Sequence, residues 1–152
     1  MTHAYRITKA KHAAAAFHGT GSRMAGGRWN FPGEPVVYCS LSLALAALET
    51  FVHLSEEAAA IRFVSFEIAL PSSLEMERVE KLPKGWQNEP PGIASMEVGS
   101  AWVKQCRSVA LRVPSALIPS EYNVLLNPAH PDFTRLTISK PARFSFNPRM
   151  WK

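Results

Sequence analysis

Residues 19–54, GTGSRMAGGRWNFPGEPVVYCSLSLALAALETFVHL, constrain the fold most, because a loop, a strand and a helix follow one another without a break. The loop is rich in glycine and carries Arg23 and Arg28. Gly26 and Gly27 let the backbone there approach another group closely or take a positive φ. Trp29 and Asn30 come next. Pro35 to Ser40 then reads as a strand, with Val36, Tyr38 and Ser40 on one face and Val37 and Cys39 on the other. From Leu43 to Leu54 the chain is almost wholly apolar and rich in Ala and Leu, and Ser42 stands ready as an N-cap, so a buried helix is predicted.

Glu49 is the one acid of that helix. Its neighbours a turn away are Leu45, Ala46, Val52 and His53, so its surroundings are mostly apolar however the helix is rolled. A carboxylate is seldom fully buried without a partner, because lost hydration costs more than packing returns. Taken alone, Glu49 reads as half of a structural ion pair with Arg23, Arg28 or His53. Taken with an arginine-bearing glycine loop and an outward tyrosine on the next strand, it reads as the acid of a cleft that holds both charges.

At 152 residues the chain fits one domain with a real core. Its net charge of +5 favours anionic partners, yet the basic residues are scattered, which suits a phosphate-bearing small molecule as well as nucleic acid. The two cysteines, Cys39 and Cys106, lack disulfide or metal spacing and read as reduced core thiols. No signal-like segment opens the chain and no apolar run reaches bilayer length, so a cytoplasmic protein without membrane contact is expected.

Elsewhere, Tyr5 to Thr8 reads as a strand with Arg6 and Thr8 on one face, where a solvated Arg6 is the plain expectation. Residues 9–18 are helix or loop. Ile61 to Leu70 has the composition and length of a central strand, and Leu74 to Leu82 alternates weakly as another. PKGWQNEPPG marks a loop. A helix is predicted over Ile93 to Arg107 with Trp102 in the core, then a strand over Ser108 to Val113. The segment VPSALIPSEYNVLLNPAHPDF, with four prolines, fixes where Ser120, Tyr122, Asn123, Asn127 and His130 point, and Asn127 and His130 read as turn formers. Leu136 to Phe146 closes the chain as a strand pair or hairpin broken at Pro141. The class is α+β, one compact domain with a central sheet flanked by helices.

Familiar catalytic signatures are missing. Gly19-Thr-Gly21 lacks the third glycine of a dinucleotide fingerprint and precedes its strand, and no phosphate-binding GxxxxGK[ST] occurs. The histidines show no metal-binding spacing, so no metal is expected. Ser120, His53 and Asp132 make a weak hydrolase triad without a nucleophile elbow.

The early YRI, then GTGSRMAGGRWNFPG, PVVYCS, ALETFVHL and the late IPSEYNVLLNPAHPDF, in that order, resemble the RES-domain toxins of bacterial RES–Xre toxin–antitoxin pairs, over nearly all of residues 1–152. The Arg, Glu and Ser of the family name fall on Arg28, Glu49 and Ser120. The resemblance implies a fold similar to diphtheria-toxin-like ADP-ribosyltransferases and an enzyme with NAD+ as its substrate and no cofactor. NAD+ would be consumed by hydrolysis or phosphorolysis or, alternatively, used to ADP-ribosylate a protein. It places Arg6, Arg28, Tyr38, Ser120 and Asn123 in the NAD+ pocket, with Glu49, Arg28 and Tyr38 catalytic. Arg28 would stand where related transferases carry a histidine or similar polar residue on the first strand. An Xre-like helix-turn-helix antitoxin covering the NAD+ site is the implied partner, with a homodimer also allowed and no nucleic acid bound by this chain.

The chemistry agrees with the residues. Cleaving the nicotinamide–ribose bond leaves an oxocarbenium-like ribose, which needs negative charge beside the sugar and a firm hold on the pyrophosphate. Glu49 suits the first task, and Arg28 with Arg6 the second, since a guanidinium donates two parallel hydrogen bonds. Tyr38 suits stacking on nicotinamide, and Ser120 with Asn123 suits ribose or phosphate oxygens. Two rivals stand against this: a basic ribonuclease toxin using His53, Glu49 and Arg28, and a nucleotide-sensing module without turnover. The scattered charge speaks against the ribonuclease.

Overall fold

Eight strands form a single mixed sheet in the computed structural model, which describes residues 1–151. In chain order they are β1 (Thr2–Lys9), β2 (Val37–Ser40), β3 (Phe63–Leu70), β4 (Met76–Arg78), β5 (Ala110–Pro114), β6 (Tyr122–Leu126), β7 (Thr137–Ile138) and β8 (Ala142–Phe144). Across the sheet the order is β4-β5-β6-β2-β1-β3-β7, and β8 also pairs with β3. Helices α1 (Thr20–Ala25), α2 (Leu43–Phe51) and α3 (Ile93–Lys104) complete the α+β architecture, joined by short 3-10 turns. None of the described helices is long and apolar enough to cross a membrane.

β1 and β3 pair along their full length, from Thr2 opposite Leu70 to Lys9 opposite Phe63. β1 and β2, by contrast, share only the pair Tyr5 and Ser40 and then part. Beyond that point the Tyr38 carbonyl receives Arg6 Nη1 at 2.9 Å, while Arg6 Nε reaches the Ala16 carbonyl at 2.7 Å. A buried carbonyl needs a donor, and here a side chain replaces the missing ladder partner. Arg6 is therefore tied into the fold and is not a solvated side chain.

Strand alternation sorts the core into clusters. One face carries Ala4, Val37, Cys39, Phe66, Ile68, Val124 and Leu126. On the other, α3 covers Val36, Leu111, Val113 and Leu125 with Trp102, while α2 sets Ala46 against Ile7 and Phe63. Trp102 is fully buried, as expected, and its indole N–H donates to Ser108 Oγ at 2.9 Å. Burying one such large side chain contributes roughly 1.5–3 kcal/mol. α3 lies so close to the glycine loop that a Cβ on Gly99 would sit 1.8 Å from the Trp29 carbonyl oxygen. Ser42 caps α2 as predicted, accepting from the Leu45 N–H at 3.0 Å, and the helix ends at Phe51.

Three expectations need correction, and one strand, β6, stands where no element was predicted. β6 runs through the proline-punctuated segment, because Pro119 and Pro128 lie outside it and Tyr122 to Leu126 keep every ladder N–H. β3 has neighbours on both sides but lies next to the rim, and the centre of the sheet falls on β2. β7 and β8 do not form a hairpin; both pair with β3, as two pieces of one edge on either side of Pro141. Cys39 is a buried thiol, but Cys106 is exposed, in a turn with φ +51° just after α3.

Candidate functional site

The glycine loop is built around Asn30 and Tyr38. Asn30 is fully buried, and its Nδ2 donates to the carbonyls of Ser22, Phe31 and Glu34 at 3.0–3.2 Å. Its Oδ1 accepts the Tyr38 hydroxyl at 2.6 Å, and that hydroxyl oxygen in turn accepts the Trp29 N–H at 3.1 Å. The close approach expected of the glycine pair is used at Gly27, where a Cβ would lie 2.6 Å from Tyr38 Oη. Burial holds the Tyr38 phenol well above its ordinary pKa, with the Trp29 N–H acting in the opposite direction, so the hydroxyl stays neutral.

Arg28 leaves this loop, not the first strand, and turns toward the segment predicted as PKGWQNEPPG loop. Its Nη1 donates to the carbonyls of Trp86 at 2.9 Å and Asn88 at 2.7 Å, and Nη2 pairs with Glu89 Oε2 at 2.9 Å. Trp86 stacks on Trp29, with ring centroids 6.2 Å apart at 29°. The Arg28 side chain is 17% exposed and the Glu89 side chain 75%, so the pair borders solvent on its acidic side.

Glu49 pairs with none of Arg23, Arg28 or His53. Among the described residues it has no cationic partner. Its Oε2 accepts instead from Asn123 Nδ2, and Asn123 Oδ1 accepts the Ser40 hydroxyl at 2.6 Å. Ser40 and Asn123 sit directly opposite in the β2–β6 ladder, which puts both on the sheet face that also carries Tyr5 and Tyr38. Arg6 leaves β1 from the opposite face. Ser120 is exposed in the turn leading to β6.

The structure thus joins Glu49 to Asn123 across 74 positions of sequence, and Tyr38 to the Arg28 loop across eight and nine. Burial pulls the Arg6 guanidinium below its ordinary pKa, with Cys39 acting the other way, and burial pushes the Cys39 thiol up to about 12. Asn127 and His130 do form turns, accepting from the N–H groups of Ala129 and Asp132 at 3.0 Å each. Asp132 pairs with Arg135, at 3.6 Å, instead of entering a triad.

Sequence reasoning missed Glu34. It is 8% exposed, accepts from Ser100 Oγ and from the Phe31 N–H at 3.2 Å, and lies 3.6 Å from Lys104 Nζ. Nothing in the string PGEP separates it from a loop acid on the surface. Along the outer flank of α2, Leu48, Phe51, Val52, Leu54, Leu117 and Ile118 line an apolar groove of about 440 Å³.

Comparison with known proteins identifies the family. A family model described as RES domain matches residues 3–147. A protein named Toxin Res from Yersinia enterocolitica is 36% identical over 148 residues, covering 96% of this chain and 97% of its own. A second Toxin Res, from Photorhabdus laumondii subsp. laumondii, is 36% identical over 150 residues, covering 97% and 96%. A Prs ADP-ribosylating toxin from a Sphingobium species is 40% identical over 136 residues, covering 87% and 84%. The helix that carries Glu49 and the loop that carries Arg28 both lie within the matched residues, and the chain belongs to the RES domain family.

Proposed function

We propose that this chain is a toxin that cleaves the nicotinamide–ribose bond of NAD+ and passes the ADP-ribose to water or inorganic phosphate. Glu49 carries this reading: a half-buried carboxylate with no cationic partner among the described residues, held by one strand-borne amide. Breaking the bond sends its electron pair to the nicotinamide nitrogen and leaves an oxocarbenium-like ribose. A fixed carboxylate stabilises that cation more than it stabilises the bound substrate. Water or phosphate then adds to the ribose carbon and releases a proton.

Arg28 supplies the clamp for the pyrophosphate, which takes the place now held by Glu89. Tyr38 offers a ring face to nicotinamide, because its hydroxyl is committed to Asn30 and Trp29. Ser120 offers a hydroxyl to ribose or phosphate oxygens. Arg6, with two of its five N–H groups on carbonyls, shapes the strand behind Tyr38 and adds positive field.

A second reading, transfer of ADP-ribose to a protein, draws on the name of the Sphingobium relative and on the apolar groove along the helix that carries Glu49. The toxin names of the other relatives support an antitoxin partner, here an Xre-like helix-turn-helix protein that covers the NAD+ site and protects the cytoplasm in which this chain would act.

Incubating the purified protein with NAD+, with and without phosphate, and separating nicotinamide from ADP-ribose products tests the proposal. Release of nicotinamide with free or phosphorylated ADP-ribose is expected. Radiolabel on an added protein would favour the second reading, and absence of both would overturn the two together. Co-purification with the antitoxin should abolish cleavage, and a stable complex that turns over at the free rate would exclude occlusion of the site.

A further inference from the structure

Asn123 can donate and accept, so its orientation has to be set by its neighbours. An ionised Glu49 only accepts, which requires Nδ2 to face it. Oδ1 is then turned to Ser40, and a carbonyl oxygen there requires the Ser40 hydroxyl to donate, as it does at 2.6 Å. Ser40 is 4% exposed, so no bulk water competes for that proton. Donation therefore runs from the Ser40 hydroxyl through the amide to Glu49, with one arrangement satisfying all three groups.

The backbone makes this chain of bonds stiff. Asn123 lies opposite Ser40 on one side and Val113 on the other, so β6 is laddered at this residue on both edges. Directly opposed strand residues hold their Cβ atoms about 4.5–5.5 Å apart, a fit for a hydroxyl and a short amide. Glu49 has the longer and looser side chain and comes from a helix, so a fixed donor on the sheet decides where its carboxylate lies. One donor and one acceptor capacity of the Asn123 amide, two of its four, are committed to Glu49 and Ser40.

We propose that Ser40 and Asn123 are positioning residues: a hydrogen-bond relay that aims the Glu49 carboxylate, with Asn123 acting through Glu49 and not by touching substrate. The role in turnover rests on the NAD+-cleaving reading, whereas the relay itself does not.

Asn123→Asp keeps the shape, removes the donor and sets a second carboxylate beside Glu49. For nicotinamide release, kcat should fall about 10- to 150-fold in Asn123→Asp and about 2- to 12-fold in Ser40→Ala, the ranges for bonds to charged and to neutral partners. KM for NAD+ should stay unchanged in both, and Ser40→Thr, which keeps the hydroxyl, should retain kcat. A raised KM with unchanged kcat in Asn123→Asp would mean direct substrate contact and overturn the relay, as would no change in either constant. The side-chain amide NMR signal of Asn123 gives a readout free of turnover, and it should move in both Glu49→Gln and Ser40→Ala. If the wild-type protein releases no nicotinamide, the NAD+ reading fails and this spectrum alone decides: a signal unmoved by Glu49→Gln overturns the relay.

Discussion

Glu34 and Glu49 are both drawn in from solvent, both lie within the stretch that dominates the sequence, and their surroundings differ in kind. Glu34 meets a hydroxyl, a backbone N–H and a nearby lysine, and its loop is pinned by the three carbonyl contacts of Asn30. Glu49 meets one amide. Charge that meets two donors on one oxygen and a lysine near the other locks a loop, whereas charge that meets one amide keeps an affinity for a cation that the protein does not itself provide. The same contrast divides the two arginines, since Arg6 bonds only to backbone carbonyls while Arg28, besides two carbonyls, reaches an exposed carboxylate.

Paired substitutions test that contrast most severely. Glu49→Gln should lower kcat for NAD+ cleavage by about 10²- to 10³-fold, the loss seen when one fixed electrostatic group is removed from a reacting centre. Its thermal midpoint should stay near wild type. Glu34→Gln should do the reverse, costing about 1–3 kcal/mol of stability from a buried hydrogen-bonded charge while turnover per folded molecule holds. Steady-state nicotinamide release and denaturant melts on both variants would break the comparison if the two swapped behaviour.

Arg28 comes next in size. Arg28→Ala should raise KM for NAD+ by about 10- to 150-fold, and Arg28→Lys should recover only part of that because the fork is lost. Glu89→Gln should act in the opposite direction and weakly, lowering KM by at most about 5-fold, because an exposed ion pair contributes about 0–1 kcal/mol. Calorimetric titration with NAD+ checks all three. Equal affinity in wild type and Arg28→Ala would leave Arg28 as an anchor of the Trp86–Glu89 segment alone.

The smallest effect concerns the thiols. Burial raises the Cys39 pKa from 9.0 to about 12, so Cys39 stays protonated in the folded protein at pH 8 and only the exposed Cys106 should react with a thiol-exchange reagent. A raised thiol pKa also gives a stability contribution that is fully present below pH 9 and is lost as pH climbs toward 12, where the folded thiol ionises too. Titrating free thiols in native buffer and in denaturant counts them: one is expected, then two.

Local pattern made much of the fold legible. The Ser42 cap, the period-2 alternation of β2 and β5 and the β-branched run of β3 are each written within a few residues. β6 was not predicted, since prolines stand on both sides of Tyr122 to Leu126, although an apolar run of Val124, Leu125 and Leu126 was the available signal. The candidate site could be read as residue types and not as partnerships. Glu49 and Asn123 are 74 positions apart, and Arg28 is 61 from Glu89, so only sheet register and loop path bring them together. Glu34 was hidden for a related reason, since its burial is imposed by Ser100 and Lys104 of α3.

The two rims of the sheet carry one more consequence. One ends in β4, three residues long; the other is β7 and β8, two and three residues long, separated at Pro141. An open edge invites another chain to add a strand, and short, proline-broken edges refuse it. Neighbouring copies emerging from ribosomes therefore find no template for edge-to-edge aggregation. A protein that docks on this chain, for its part, must grip side chains and helix flanks, because neither rim offers a ladder long enough to extend.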